Sequence, residues 1–538
     1  MEIEVKLESP PTKTLGTLRL QATGTNEIIR IPRPTDDPND PLNWNQAYKY
    51  YMAGISSMAI FLCTFVSAGP AIAIVDQAVT FFGPPGPDLL HNIARTAYFF
   101  TTTALTMGLS NIFWVPMAIK YGRRVVYLAC FALFIATIAW AGAAKSYGSA
   151  LAARILMGFA AGPPEVLGPL TISDIFFLHE RGAMVVIYTC MLNLGAGLGT
   201  VVDGLITKDL SWRVIYWVAG SLVGFVWLLM LFTFPETTYL RSAGAFDEAP
   251  STVAKEPSEL SVVAIEHASE TGERPAAGRK LTYLQSLRLV PAEPYTQESF
   301  ITLGIRPIVL LILPAVLWAT LVMSVCIGFF VAVSSNLATA YSVTYNMQTW
   351  QAGLCCVSII VGALLAVFFG GKLSDLVANS LTARNSGLRE PEMRLPAMAL
   401  SVITGPLSLV LYGVGIEQRL HWICPTIGVG MLTFTIVQAA NIALVYMIDC
   451  YRPIAGEVTV AMYAFKSAFG FLLSFYTNSW IEKSGYGNAF GAMAGITGAV
   501  LLGVVPFYFF GKRLRRLTWN WGIIRALAHW DSDREVGE

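Results

Sequence analysis

The 538-residue chain is 54% hydrophobic and 13% charged, with a mean hydropathy of +0.56, whereas soluble domains carry about 25% charged residues. That balance excludes a string of soluble domains and indicates a polytopic membrane protein whose solvent is the lipid bilayer. The net charge of +1 comes without a concentrated basic face, so no nucleic-acid partner is expected, and the eight cysteines, all in or beside apolar runs, have no metal-ligand spacing and read as small hydrophobes.

Residues 1–48 form a polar, proline-punctuated tail without a cleavable leader, so the first apolar run is expected to act as the targeting signal. The tail closes on Asp37-Pro38-Asn39-Asp40-Pro41-Leu42-Asn43-Trp44, dense in turn formers and ended by a tryptophan suited to the membrane interface. Apolar windows of about 20 residues, enough to cross about 30 Å of hydrocarbon, then recur near 49–69, 93–115, 125–143, 150–171, 183–206 and 213–235. A charged stretch over 236–305 reads as a linker with one short amphipathic helix around 281–290. The second set falls near 307–336, 350–370, 396–415, 423–447, 458–480 and 487–510, ahead of a tail over 511–538. The predicted architecture is therefore all-α, with twelve transmembrane helices in two six-helix bundles, 49–235 and 306–510.

Lysine and arginine distribution sets the orientation. One set of loops carries Lys120, Arg123, Arg124, Arg181, Lys372, Arg384, Arg389, Arg394 and Arg452; the opposite set has only Arg95, Lys145, Lys208, Arg213, Arg419 and Lys483. Both termini and the linker are expected in the cytoplasm. Short cationic turns after the second and eighth spans occupy equivalent places, as in two bundles related by an axis along the membrane normal.

Several motifs carry a resemblance. Gly122-Arg123-Arg124 follows the second span, with Val115 and Ile119 where a glycine and an aspartate would lead; Gly371 and Asp375, with Arg384 as a cationic end, follow the eighth. To these add Asp37–Trp44, the run Pro235-Glu236-Thr237 with Tyr239, and Arg154, Gly158, Gly162–Glu165, Asp174 and Arg181. The chain resembles the major facilitator superfamily, and within it the fungal twelve-helix drug:proton antiporter type, from about residue 26 to 516. The resemblance implies a central cavity shared by two rocking halves, with Gly122, Arg123, Arg124, Gly371 and Asp375 in the conformational-switch loops.

Arg154 and Glu165 stand out because each ionisable group in a span is a functional-site hypothesis. Eleven residues apart, about three turns, they are expected on one inward face at levels roughly 16 Å apart. Glu165 is the candidate proton carrier, its alternative being a cap or helix pair below the Gly162-Pro163-Pro164 kink. Arg154 resembles the family's fourth-helix arginine, implicated there in proton coupling; a salt bridge or carbonyl-bonded snorkelling side chain is the alternative. Asn193, Gln438, Asn441, Tyr446 and Lys466 are the substrate-cavity candidates, against helix glue or core packing. Lys466 is expected in the cytoplasmic third, paired with Glu457 or Asp449. Gly195, Gly197 and Gly199 resemble the antiporter glycine motif, with Thr200 where proline is common; Asp203, one turn on, reads as a solvated residue of the outer rim.

The expected activity is proton-coupled export of a small organic molecule by a monomer in the plasma membrane, with no cofactor. Uptake of a cationic metabolite such as a polyamine is the alternative in mechanism, and a non-transporting nutrient sensor the alternative in class. No nucleotide-binding loop or metal cluster supports an enzyme.

Overall fold

The computed structural model describes residues 18–19, 35, 37–84, 86, 88–239, 282–288, 295–296, 298–385, 388–451, 454–519 and 521. Most of the two tails and the 236–305 linker lies outside the described residues. The short helix expected near 281–290 is one turn, Tyr283–Ser286.

Asn45 starts the first crossing, its side chain accepting from Ala47 N at 3.3 Å, which satisfies one of the free donors at a helix start. Helix α1 (Gln46–Ala68) passes through a tight 3-10 segment, Gly69–Ala73, into α2 (Ile74–Phe82). The second crossing is α3 (Leu89–Leu109) and α4 (Asn111–Tyr121); α5 (Arg123–Ala143) is the third. The fourth breaks, as its glycine and prolines predict, into α6 (Tyr147–Ala161) and α7 (Pro163–Ile175), and α8 (Leu178–Asp209) and α9 (Arg213–Thr233) complete the first half.

Taking Tyr283–Ser286 as α10, the second half begins with α11 (Phe300–Leu310) and α12 (Pro314–Tyr345), so the span expected over 307–336 starts earlier and is divided ahead of Pro314. Next come α13 (Thr349–Cys355), α14 (Val357–Ala366) and α15 (Leu373–Arg384), then α16 (Ala399–Glu417). The tenth crossing is α17 (Ile423–Thr435) and α18 (Asn441–Cys450), joined by a π-helical stretch, Ile436–Ala440. Helix α19 (Ala455–Leu502) and α20 (Val504–Trp519) end it. Leu18–Arg19 of the tail pairs antiparallel with Leu388–Arg389.

Among the described residues, eleven helices are long and apolar enough to cross a membrane, not the twelve expected. The difference lies in α19. The crossings expected over 458–480 and 487–510 are two helical arms that meet at Gly485, where φ is 80° and ψ 166°, a non-helical conformation that costs glycine little. The first arm carries Glu457 and Lys466 and is not one of the eleven, although it is helical and buried where those residues lie.

Successive crossings alternate in direction, so Gln46, Tyr121, Arg123 and Ile175 mark one end, here termed proximal, and Ala68, Tyr147, Asp209 and Tyr345 the distal end. Helix α8 of the first half lies against α13 and α14 of the second, and the buried apolar core is continuous across both halves. In lipid, van der Waals packing rather than hydrophobicity holds such helices together. Small residues make that contact close: a Cβ built on Gly204 would lie 3.3 Å from Gly353 Cα, and one on Gly197 3.0 Å from Ile359.

Candidate functional site

The site starts from the break in the fourth crossing. A Cβ at Gly162 would collide with Ser110 and the Met107 carbonyl, so only glycine lets this turn approach the second crossing. Pro163 and Pro164 then start α7, with Glu165 in its first turn, where the helix N-terminus favours an anion. Glu165 is buried, and its carboxylate pairs with the ammonium of Lys466 from α19. Lys466 also lies 4.2 Å from the Tyr463 ring centroid, and the Tyr188 hydroxyl donates to the Pro164 carbonyl oxygen. One buried ion pair thus joins the two halves.

Lys466 therefore has a different partner from those expected for it. Glu457 pairs with Arg306 at 3.0 Å and Asp449 with Arg394 at 3.4 Å. Arg154 is directed away from Glu165's partner: its guanidinium reaches the Val66 and Ser67 carbonyls, each at 3.4 Å, and lies 5.2 Å from the Tyr216 ring centroid. Asp203 is no rim residue. It is fully buried, and a Cβ at Gly69 would collide with its carboxylate.

Between the halves, toward the distal end, lies a small cleft. Ala68 and Ile72 contribute from the end of the first crossing, Phe100 from α3, Ala196 and Thr200 from α8, Phe330, Ser334 and Leu337 from α12, and Cys356 and Ile359 from the eighth crossing. Two hydroxyls and a thiol are its polar side chains, and none of its lining residues is charged.

The other sequence candidates fall elsewhere. Gln438, inside the π-helical stretch, accepts from Ser401 Oγ at 2.8 Å and donates to the Ala397 carbonyl at 3.2 Å, tying the tenth crossing to the ninth. Asn193 donates to Thr189 O at 2.9 Å within α8. Asn441 is buried with Oδ1 unbonded. Tyr446 is fully buried edge-on to Trp318, 6.2 Å between centroids, near Gly511 of α20.

At the proximal end the loops after the second and eighth crossings are both held by ion pairs and hydrogen bonds. Gly122 has φ 96°, and a Cβ there would strike Glu236. The Glu236 carboxylate accepts from the amides of Arg123 at 2.9 Å and Arg124 at 3.0 Å, and from the amides of Thr237 and Thr238 at 3.0 Å each. Arg123 pairs with Asp174, and Arg124 donates to the Leu231 carbonyl at 2.7 Å and to that of Phe234. Glu236 and Asp174 thus supply anions at the loop where Ile119 replaces the expected aspartate. In the second half, Asp375 pairs at 3.1 Å with Arg394. Both face the first half: a Cβ on Gly182 would lie 3.3 Å from Asp375 Oδ1, and one on Gly371 3.1 Å from Val186. The pre-helix motif meets the end of the sixth crossing, with the Tyr239 hydroxyl donating to Asp37 at 3.2 Å.

The motif residues left Glu236, Asp174, Arg394 and the cavity lining unassigned. Glu236 and Asp174 stand in quoted motifs and Arg394 among the counted loop cations; the cavity residues are uncharged and carry no such signal.

An all-helical fold of two packed halves matches the comparisons with known proteins. Residues 53–449 match the family model described as Major Facilitator Superfamily. The chain is 28% identical to the MFS transporter cpaT of Aspergillus oryzae, covering 91% of this chain and 92% of that one. It is 25% identical to the efflux pump vrtL of Penicillium aethiopicum over 90% of this chain and 89% of the other. Its fold superposes on the proton:xylose symporter XylE with a TM-score of 0.60 at 13% identity, over 88% of this chain and all of that one. With the family model spanning well over half its length, the chain belongs to the major facilitator superfamily and is a multi-pass membrane transporter.

Proposed function

We propose that the protein exports a small organic molecule in exchange for protons, by alternating access in the plasma membrane, as a monomer with both termini in the cytoplasm. The observation that carries this reading is the buried Glu165–Lys466 pair between the halves. A charge buried in low dielectric is tolerated only when paired. Protonation of Glu165 neutralises one partner, and the two halves lose a reason to stay together at that point. A proton taken up there is coupled directly to their separation.

The cavity supports the cargo class. An uncharged lining with two hydroxyls suits a neutral, amphipathic metabolite held by apolar contact and a few hydrogen bonds, and it offers a polycation such as a polyamine no counter-charge. Similarity to a chain named as an efflux pump supports the outward direction.

The test is flux into proteoliposomes under an imposed pH gradient, across a panel of neutral amphipathic metabolites and polyamines. Glu165→Gln should abolish proton-driven flux per molecule of folded, reconstituted protein. Unchanged pH-dependent transport in that variant would reject the role of Glu165, and flux of polyamines alone would reject the cargo class.

A further inference from the structure

Glu165 is not the only buried acid near the division between the halves. Asp203, on α8 six residues before its distal end at Asp209 and so roughly 9 Å below it, has no exposed surface, and neither carboxylate oxygen has a hydrogen-bond partner. The 3-10 segment Gly69–Ala73 closes over it, with Gly69 against the carboxylate. Its neighbour Gly204 is in the seam itself, packed on Gly353 of α13, and a Cβ on Gly353 would lie 3.1 Å from the Thr200 carbonyl. One turn earlier, Thr200 lines the cavity, as do Ala68 and Ile72 on either side of the Gly69 turn.

We propose that Asp203 is a second proton-binding site, one that holds its proton while the distal seam between α8 and α13 is closed and releases it when the seam opens. A carboxylate with no hydrogen bond in a dry site costs several kcal/mol, whereas the carboxylic acid carries no such charge. Opening the seam parts Gly204 from Gly353 and brings water to the adjacent side chain, which then solvates the anion. The charged and titratable groups facing Asp203 are few. Arg154 of α6 lies within coulombic range and is the cation that receives the anion once the proton leaves; Tyr216 of α9 is the other ionisable neighbour. The Gly69 segment and Gly353 bring none. On its own helix Lys208 lies 5.5 Å from the Trp350 ring centroid, a contact across the same seam that parts with it. The step conserves charge simply: one proton binds the carboxylate on closing and one leaves to distal water on opening. Because Gly69 also adjoins the cavity wall, cargo pressing on Ala68 or Ile72 bears on the same turn.

This inference rests on the reading of the chain as a proton-coupled carrier but not on Glu165, and its test needs no cargo. Spin labels at Leu210→Cys and Val343→Cys, exposed positions at the distal ends of α8 and α12, report the seam in the full chain in lipid nanodiscs. Cys355 and Cys424, the two native cysteines that are not fully buried, are first changed to serine. Between about pH 5 and about pH 8, the wild-type population should move from the short to the long distance as pH rises. Asp203→Asn, permanently neutral, should hold the short distance throughout, and Asp203→Glu should restore the response; Asp203→Ser is the second acid-free variant should the asparagine form misfold. A wild-type distance that ignores pH, or an acid-free variant that responds as the wild type does, overturns the inference. Either result leaves the Glu165 flux test standing on its own.

Discussion

Lys466 donates to the carboxylate of Glu165, a residue 301 positions earlier in the chain and in the other half of the molecule. The pair is buried on both sides, so its two members are coupled far more strongly than a surface pair. Removing one partner of a buried pair leaves an uncompensated charge and costs about 3–5 kcal/mol, whereas replacing both by apolar groups is often neutral. Lys466→Met alone is therefore expected to lower the thermal unfolding temperature of the purified protein sharply. Lys466→Met combined with Glu165→Leu should recover most of that loss while remaining inactive in transport. Additive losses in the double variant would show that the two side chains do not depend on each other.

Glu236 holds the proximal loop through five hydrogen bonds, four from backbone amides and one from Thr238 Oγ1 at 2.8 Å. Bonds to a charged acceptor contribute about 1.5–3 kcal/mol each when made in a protected site, though partial exposure reduces that. Glu236→Gln keeps the shape but loses the charge and half the acceptor capacity. Amide hydrogen exchange at Arg123 and Arg124 should speed up at least tenfold in this variant, with no comparable change at the amides of Asp375 or Arg394. Unaltered exchange at Arg123 would mean that the carboxylate does not clamp the turn.

How much of this was legible in the sequence varies by residue, for physical reasons. The spans were visible because about 20 apolar residues must cross the hydrocarbon, and Glu165 stood out because charge there is costly. Its partner was not legible, since neither hydropathy nor spacing encodes which helix of the other half lies opposite; Glu457 and Asp449 were nearer in sequence and were taken by Arg306 and Arg394. Asp203 was misread because it stands near the end of its predicted span, where solvent is the default, and the turn at Gly69 that buries it comes from another crossing. The boundary between the last two expected spans, 458–480 and 487–510, falls at Gly485, whose φ of 80° interrupts the helix. The cavity was invisible for a simpler reason: alanine, phenylalanine and leucine line it, and the same residues face lipid elsewhere.

Gln438 tests whether an amide at membrane depth binds cargo or joins helices. Its side chain accepts from Ser401 and donates to the Ala397 carbonyl, and it is not among the residues lining the cavity. Gln438→Leu removes both bonds and strands the Ser401 hydroxyl, at a cost of about 1–3 kcal/mol. The expected result is a protein less stable in detergent with an unchanged order of preference among cargo molecules. Stability equal to wild type combined with a changed preference would place Gln438 in the binding site instead.

The cavity itself is open to direct test through Ala338, a residue of α12 on its wall. Ala338 lines this small space, so Ala338→Trp should obstruct it and exclude cargo. Overpacking between rigid helices costs about 1–3 kcal/mol, so a milder variant, Ala338→Leu, is measured beside it. Flux should fall to background in the tryptophan variant and in part in the leucine variant, while the distal spin-label distances keep their dependence on pH, since Asp203 and Arg154 are untouched. Full flux with tryptophan at this position would move the cargo site out of the distal cavity.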